Sequence, residues 1–187
     1  MKKIISLLTI TLATLFIGCS SAKLAPAQQA LIDNQTLLYT QVDIWTENGK
    51  IISTNYAIDI HIPVNSEVKI LAVNAKIITI ELNGEKINYE VFTKYTKVDA
   101  TAMISRLFAM KKVSLNALSP ATKENVLNGA VAMGMTKSTV LLSCVYPPFH
   151  AIQGIKSNKW KYWRNRWVTA YVTFKDDKVV KIDGAVS

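Results

Sequence analysis

Residues 133–182 read MGMTKSTVLLSCVYPPFHAIQGIKSNKWKYWRNRWVTAYVTFKDDKVVKI. The turn, helix and strand signals in these residues predict the fold of the C-terminal part of the chain. Gly134 can end a preceding helix, because it has no Cβ to clash in the left-handed conformation. Thr136 can cap the next helix, since its side chain can accept a bond from an unpaired amide of the first turn. An apolar stripe follows at helical spacing, and Pro147-Pro148 end that helix because proline lacks the amide hydrogen.

Beyond a loop over residues 149–158, the sequence predicts a three-stranded meander with strands at 160–163, 166–174 and 179–182. The turns fall at Arg164-Asn165 and Asp176-Asp177. In the middle strand the smaller apolar set is assigned to the core: Val168, Ala170, Val172 and Phe174. Trp167 and Tyr171 then lie on the opposite face, with Trp163 near them across the hairpin.

The order of these motifs resembles that of a known family. Gly134-Met135-Thr136, an apolar helix ending at a proline, a Trp-Tyr strand and the segment VTFKDDKVVKI together resemble the SmpA/OmlA (BamE-like) lipoprotein domain. That family packs two helices on a three-stranded antiparallel sheet, and its best-known member is a small lipoprotein subunit of the outer-membrane β-barrel assembly machine. The resemblance covers the last third of the chain and implies a BamE-like domain over residues 119–187. Its first helix would begin at Ser119-Pro120 and run to about Met133, loosened at Gly129.

The N-terminus has the features of a targeting signal. Lys2-Lys3 precede an apolar stretch that is too short to span a bilayer, which takes about 20 residues. The sequence Phe16-Ile17-Gly18-Cys19 resembles the bacterial lipobox, which implies a signal peptide over residues 1–18 and lipidation of Cys19. Residues 19–35 are then a lipidated tether, and Ser20 resembles an outer-membrane sorting signal, so we expect an anchor on the periplasmic face. An ordinary secretory peptide with an incidental cysteine is the alternative.

Residues 36–98 are strand-rich, with strong hairpin turns at Asn48-Gly49 and Asn83-Gly84. Short strands joined by tight turns predict a small SH3-like barrel or a rolled sheet. Residues 99–118 are predicted to be a helix, capped by Asp99, and a linker; Met103, Leu107 and Met110 would share the apolar face of that helix. The predicted fold class of the whole chain is therefore α+β.

The charge is strongly positive and uneven. The formal charge of +9 falls to +7 when Lys2 and Lys3 leave with the leader, and from residue 156 onward eight basic residues face three acidic ones. A cytoplasmic protein of this kind would suggest nucleic acid, but the leader excludes that partner. The remaining anions are phospholipid head groups, lipopolysaccharide, peptidoglycan carboxylates and acidic protein surfaces.

Catalytic and metal-binding motifs are missing from the sequence. It contains no GxSxG, HExxH, P-loop, CxxC or EF-hand loop. Cys144 lies on an apolar helical stripe and is interpreted as a buried thiol; a hydrolase using Cys144 and His150 is the alternative. We therefore predict neither enzyme activity, nor a cofactor, nor a metal site.

The expected function is that of a protein-binding or scaffolding lipoprotein in outer-membrane assembly or maintenance. Aromatic side chains with polar tips are enriched at binding hot spots, and nearby cations steer acidic partners. The candidate protein-binding residues are Trp163, Arg164, Arg166, Trp167 and Tyr171. Two alternatives remain open: the strand-rich region binds peptidoglycan, or it covers this face within the same chain.

Overall fold

A computed structural model describes residues 22–54, 57–149 and 154–186. The predictions for the leader, for Cys19 and for His150 concern residues outside these ranges. The helices in the described part are α1 (Pro26–Asp33), α2 (Thr93–Thr96), α3 (Ala100–Leu107), α4 (Pro120–Leu127) and α5 (Lys137–Cys144). The strands there are β1 (Leu38–Thr40), β2 (Ile44–Glu47), β3 (Lys50–Ile52), β4 (His61–Ile62), β5 (Glu67–Val73), β6 (Ile77–Leu82), β7 (Glu85–Glu90), β8 (Phe108–Ala109), β9 (Lys159–Trp163), β10 (Thr169–Lys175) and β11 (Lys178–Asp183). The predicted α+β class is confirmed.

Strands β1 to β8 form one curled sheet, which we call the half-barrel. Its order is β4-β2-β3-β7-β6-β5-β1-β8, and β3 and β7 pair in parallel whereas the other neighbours are antiparallel. Both Asn-Gly turns have positive φ angles at the asparagine and the glycine, which is the geometry that made them strong hairpin signals. The expectation of a rolled sheet is thus confirmed at this level.

The segment that was predicted to be a tether contains a helix. Helix α1 lies against β5, and Leu24, Leu31 and Ile32 pack on the core of the half-barrel. The side-chain amide of Gln28 donates to the carbonyl of Thr101 at 2.9 Å. These contacts hold residues 24–32 on the sheet, so this part of the predicted tether is packed on the fold instead of forming a flexible spacer.

Helix α3 begins where its cap predicts and ends earlier than its pattern predicts. The Asp99 carboxylate accepts a hydrogen bond from the Ala102 amide at 2.8 Å. Met103 and Leu107 are buried, but Met110 is exposed, because the chain leaves the helix at Phe108 to form β8 beside β1. The assignment of Met110 to the apolar face was therefore wrong.

Strands β9 to β11 form a second antiparallel sheet, which we call the small sheet. Helices α4 and α5 bury Val126 and Val140 in the same apolar core as the small sheet. Helix α4 stops at Leu127 rather than near Met133, because the following turn includes Gly129 in the left-handed region at φ +66°. Thr136 caps α5 as predicted, accepting from the Thr139 amide.

The half-barrel and the helix pair meet at one seam. The Asp43 amide donates to the carbonyl of Leu142 at 2.7 Å, and the Tyr162 hydroxyl donates to the carbonyl of Val145 at 3.3 Å. Val64 of the half-barrel segment belongs to the core of the small sheet, and Val145 belongs to the core of the half-barrel. This seam fixes the helix side of the small sheet and leaves its other side as the candidate surface.

Candidate functional site

The small sheet has two chemically different faces. Trp160, Tyr162, Ala170, Val172 and Phe174 are buried under the helices. The alternate positions of β9 and β10 are partly or fully exposed. The predicted assignment of the middle strand to the core is confirmed for Ala170, Val172 and Phe174, and Tyr171 lies on the opposite face as expected.

Val168 and Trp167 depart from the prediction, because the middle strand begins at Thr169. The Asn165 carboxamide oxygen accepts from the amides of both Trp167 and Val168 at 2.8 Å, which closes a local turn in place of a strand ladder. Val168 is 42% exposed and Trp167 is 82% exposed. The assignment of Val168 to the core was therefore wrong, and Trp167 lies on a loop instead of a strand face.

Cations lie over each aromatic ring on this side. Lys161 Nζ is 4.6 Å from the ring centroid of Trp163 and 5.5 Å from that of Tyr171, and Lys159 Nζ is 4.5 Å from the centroid of Tyr171. On the loop, Arg166 Cζ is 5.1 Å from the centroid of Trp167. Each contact lies within the range of a cation–π interaction. These stacked cations keep charge and aromatic area on the same surface.

We call this surface the basic aromatic face, and it consists of Lys159, Lys161, Trp163, Arg164, Arg166, Trp167, Tyr171 and Lys181. Strand register places Lys161 beside Tyr171, and Trp163 beside Thr169 at the start of the loop. Asp183 is opposite Tyr171 on β11, and its carboxylate is paired with Lys181 at 2.8 Å. The face therefore carries a clear excess of positive charge and suits carboxylate-bearing partners.

Of the five residues that the sequence nominated, Trp163 and Tyr171 lie on the exposed side of the small sheet, and Arg164, Arg166 and Trp167 lie on the loop between β9 and β10. Sequence reasoning missed Lys159 and Lys181 as members of the face. The two-residue spacing of Lys159, Lys161 and Trp163 was the available signal, because alternate residues of a strand share one face. The position of Lys181 depends on a bulge between β10 and β11, which the sequence does not reveal.

Cys144 lies in the core, as its apolar stripe suggested. Its Sγ is 3.5 Å from the carbonyl oxygen of Gly129. Burial raises the pKa of the Cys144 thiol far above its ordinary value, and the nearby Asp43 carboxylate raises it further. The thiol is therefore protonated at neutral pH, whereas a nucleophilic cysteine must be a thiolate.

A second polar cluster, which the sequence did not suggest, lies at the seam. Asp43 is fully buried; its Oδ1 accepts the Val64 amide at 2.5 Å, and its Oδ2 is 3.1 Å from His61 Nε2. His61 stacks on Trp45, and Gly129 sits so close to both rings that a Cβ would lie 3.1 Å from each. The cluster joins the half-barrel to the turn after α4, and within it Asp43 is fully buried whereas the His61 side chain is 20% exposed.

Burial raises the pKa of Asp43, and the contacts with His61, the Val64 amide and the Gly129 amide oppose that rise without cancelling it. The folded state therefore holds this proton to a higher pH than the unfolded state, and Asp43 contributes more stability as the pH falls through its raised pKa toward about 3.9.

We expect this gain in the free energy of unfolding to be measurable in a His61→Gln background, in which residue 61 has no ionisable group. The free energy of unfolding of His61→Gln, minus that of His61→Gln with Asp43→Asn, should increase as the pH is lowered from 7 to 4. Urea unfolding at a series of pH values measures it. A difference that stays constant, or that decreases toward low pH, would contradict the assigned direction.

The described residues contain neither a cluster of metal ligands nor a membrane-spanning helix. Among residues 22–54, 57–149 and 154–186, no three His, Cys, Asp or Glu side chains lie close enough to hold a metal ion. None of the helices that the structure describes has the length and hydropathy of a membrane span. Comparison with protein-family models, curated proteins and solved structures finds no match for this chain.

Proposed function

We propose that this chain is a lipid-anchored envelope lipoprotein that binds another protein through its basic aromatic face, in the assembly or maintenance of the outer membrane. The observation that carries the proposal is the position of Trp167, whose large aromatic side chain is 82% exposed. It lies on a loop in which the Asn165 side-chain oxygen accepts hydrogen bonds from the amides of Trp167 and Val168. An exposed tryptophan on an ordered loop can bury much apolar area in a partner while losing few rotamers.

The surroundings of Trp167 support a protein partner. Within the described residues, Trp163 and Tyr171 belong to neither apolar core, and both are partly exposed. Lys161 and Arg166 lie over aromatic rings, Arg164 is exposed on the same loop as Trp167, and arginine and tryptophan are enriched at hot spots. A partner with an acidic rim around an apolar centre would match this arrangement.

The leader and the fold support the envelope location. The lipobox-like Phe16-Ile17-Gly18-Cys19 motivates a lipid on Cys19, and the mature chain would then be held at the periplasmic face of the outer membrane. A helix pair on a three-stranded antiparallel sheet is the arrangement that the BamE-like resemblance implies. The curled half-barrel is in keeping with an SH3-like origin for residues 36–98.

Cys19→Ser gives the anchor its own test. Without the acylated cysteine, the chain should either leave the membrane fraction as a soluble periplasmic protein or keep its leader uncleaved. Fractionation with mass spectrometry of the N-terminus distinguishes these outcomes, and wild type should carry acyl chains, which together hold a protein firmly where one holds it marginally. A Cys19→Ser chain that has lost its leader yet stays in the membrane fraction at high salt would show that something other than lipid holds it.

The binding function is tested by crosslinking and pull-down of the native chain from detergent-solubilised envelopes. The expected result is one or more envelope proteins recovered well above a control lipoprotein. Recovery of background proteins alone would oppose the proposal. Sedimentation with purified sacculi addresses the peptidoglycan alternative, which predicts that the chain is retained by cell wall free of protein.

A further inference from the structure

A second surface, separate from the basic aromatic face, brings a guanidinium to an apolar groove. Arg106 lies in the last turn of α3, and its Cζ is 4.9 Å from the ring centroid of Tyr146. The groove has a volume of about 260 Å³ and lies between the end of α2 and the segment that follows α5. Its apolar lining comes from Val98, Pro147, Phe149 and Ile155, and the last two are exposed.

The charges of this groove are unbalanced. Arg106 and Lys97 both line it, and none of its described lining residues is Asp or Glu. The ion pairs within the described residues involve neither of these two cations. Asp99 is the nearest acid in the sequence, but its carboxylate already accepts from the Ala102 amide and the Thr101 hydroxyl, which lower its pKa. Among the residues that the structure describes, Arg106 therefore has no carboxylate partner, although the donors of its guanidinium match a carboxylate in geometry.

The size of the groove limits the occupant. Sites for whole small molecules usually measure roughly 300–1,000 Å³, and this groove is smaller. It suits one carboxylate and one aliphatic side chain, which is a fragment of a larger molecule. The proposed function supplies such a molecule, since it requires a protein partner.

We propose that this groove binds an acidic, apolar peptide segment of a protein partner. A Glu or Asp carboxylate of the segment pairs with Arg106, and a neighbouring aliphatic side chain covers Phe149 and Ile155. The ring of Tyr146 contacts the Arg106 guanidinium and orients it before the peptide binds. This inference rests on the proposed function for the nature of the partner, but it concerns a different surface.

The test is an amide NMR titration of the full-length Cys19→Ser chain with three probes. The first is acetyl-Leu-Glu-Leu-amide, the second is acetyl-Leu-Gln-Leu-amide, and the third is hexanoate. We expect the Glu peptide to shift the amides of Val98, Tyr146 and Phe149, and to bind at least tenfold more tightly than the Gln peptide. Arg106→Gln should abolish that difference, whereas the control Lys123→Gln, an exposed cation on α4, should preserve it.

Three results would overturn the inference. Equal affinities for the two peptides would remove the carboxylate from recognition. Preserved discrimination in a folded Arg106→Gln variant would remove Arg106. Hexanoate binding as tightly as the Glu peptide would assign the groove to small carboxylates instead of a peptide. The variant Trp167→Ala with Tyr171→Ala changes only the basic aromatic face and should bind the peptide as wild type does. Peptide binding at the groove is therefore measured independently of partner binding at the basic aromatic face.

Discussion

Replacing Trp160 by alanine should lower the free energy of unfolding by about 3–5 kcal/mol, whereas replacing Trp167 by alanine should change it by less than about 0.5 kcal/mol. The two tryptophans lie seven positions apart in the sequence, but Trp160 is fully buried against Phe174 and Trp167 is exposed on its loop. Urea unfolding of the two single variants measures the contrast. It separates the residue that holds the small sheet together from the residue assigned to binding.

Trp160→Phe provides the matched control. Within the described part of the chain, the Trp160 indole nitrogen is buried without a hydrogen-bond partner, so phenylalanine removes an unpaired donor while keeping most of the apolar volume. We therefore expect Trp160→Phe to lose much less stability than Trp160→Ala. A destabilised Trp167→Ala that matched Trp160→Ala would mean that Trp167 is covered within the chain, and the proposed face would be an internal seam.

Partner recovery should fall by at least about tenfold, or ~1.4 kcal/mol, when Trp167→Ala is combined with Tyr171→Ala, because truncated hot-spot residues typically cost more than this. The melting temperature should stay nearly unchanged, since neither side chain belongs to an apolar core. Quantitative mass spectrometry of the captured proteins, together with thermal unfolding of the same samples, gives both values.

A double variant of Met110→Ala and Met133→Ala controls for the loss of exposed apolar surface in general. Both methionines are exposed and both lie outside the basic aromatic face. This control should recover the partner as wild type does. If it loses the partner equally, non-specific adsorption accounts for the capture. If the variant Trp167→Ala with Tyr171→Ala is stable and recovers its partner fully, the basic aromatic face is a solvent-exposed surface with no role in binding.

Local signals in the sequence predicted much of the fold, because single residues decide them. Asp176-Asp177 and the two Asn-Gly pairs occupy left-handed turn positions that few other residues tolerate. Asp99 and Thr136 cap helices because their side chains reach amides three residues on. The alternation in β10 assigned Ala170, Val172 and Phe174 to the core for the same local reason.

Features that depend on contacts distant in sequence were not predictable in this way. Asp43 and His61 meet at the seam only because β2 and β4 pair, and the groove at Arg106 forms only when the segment after α5 reaches α3. The parallel pairing of β3 with β7 likewise joins strands that are distant in sequence, such as Lys50 beside Asn88. At Trp167 the local signal itself misled, because alternation predicted a longer strand, whereas the Asn165 side chain competed with the ladder.

The proposed function requires that Trp167 contacts a partner protein in the envelope. A photocrosslinking amino acid placed at position 167 of the full chain in intact cells tests this contact, with position 110 as the control because Met110 is also exposed. We predict a discrete protein adduct from position 167 after irradiation of intact cells, and none of the same mass from position 110. Absence of any protein adduct from position 167, or identical adducts from both positions, would contradict the central claim.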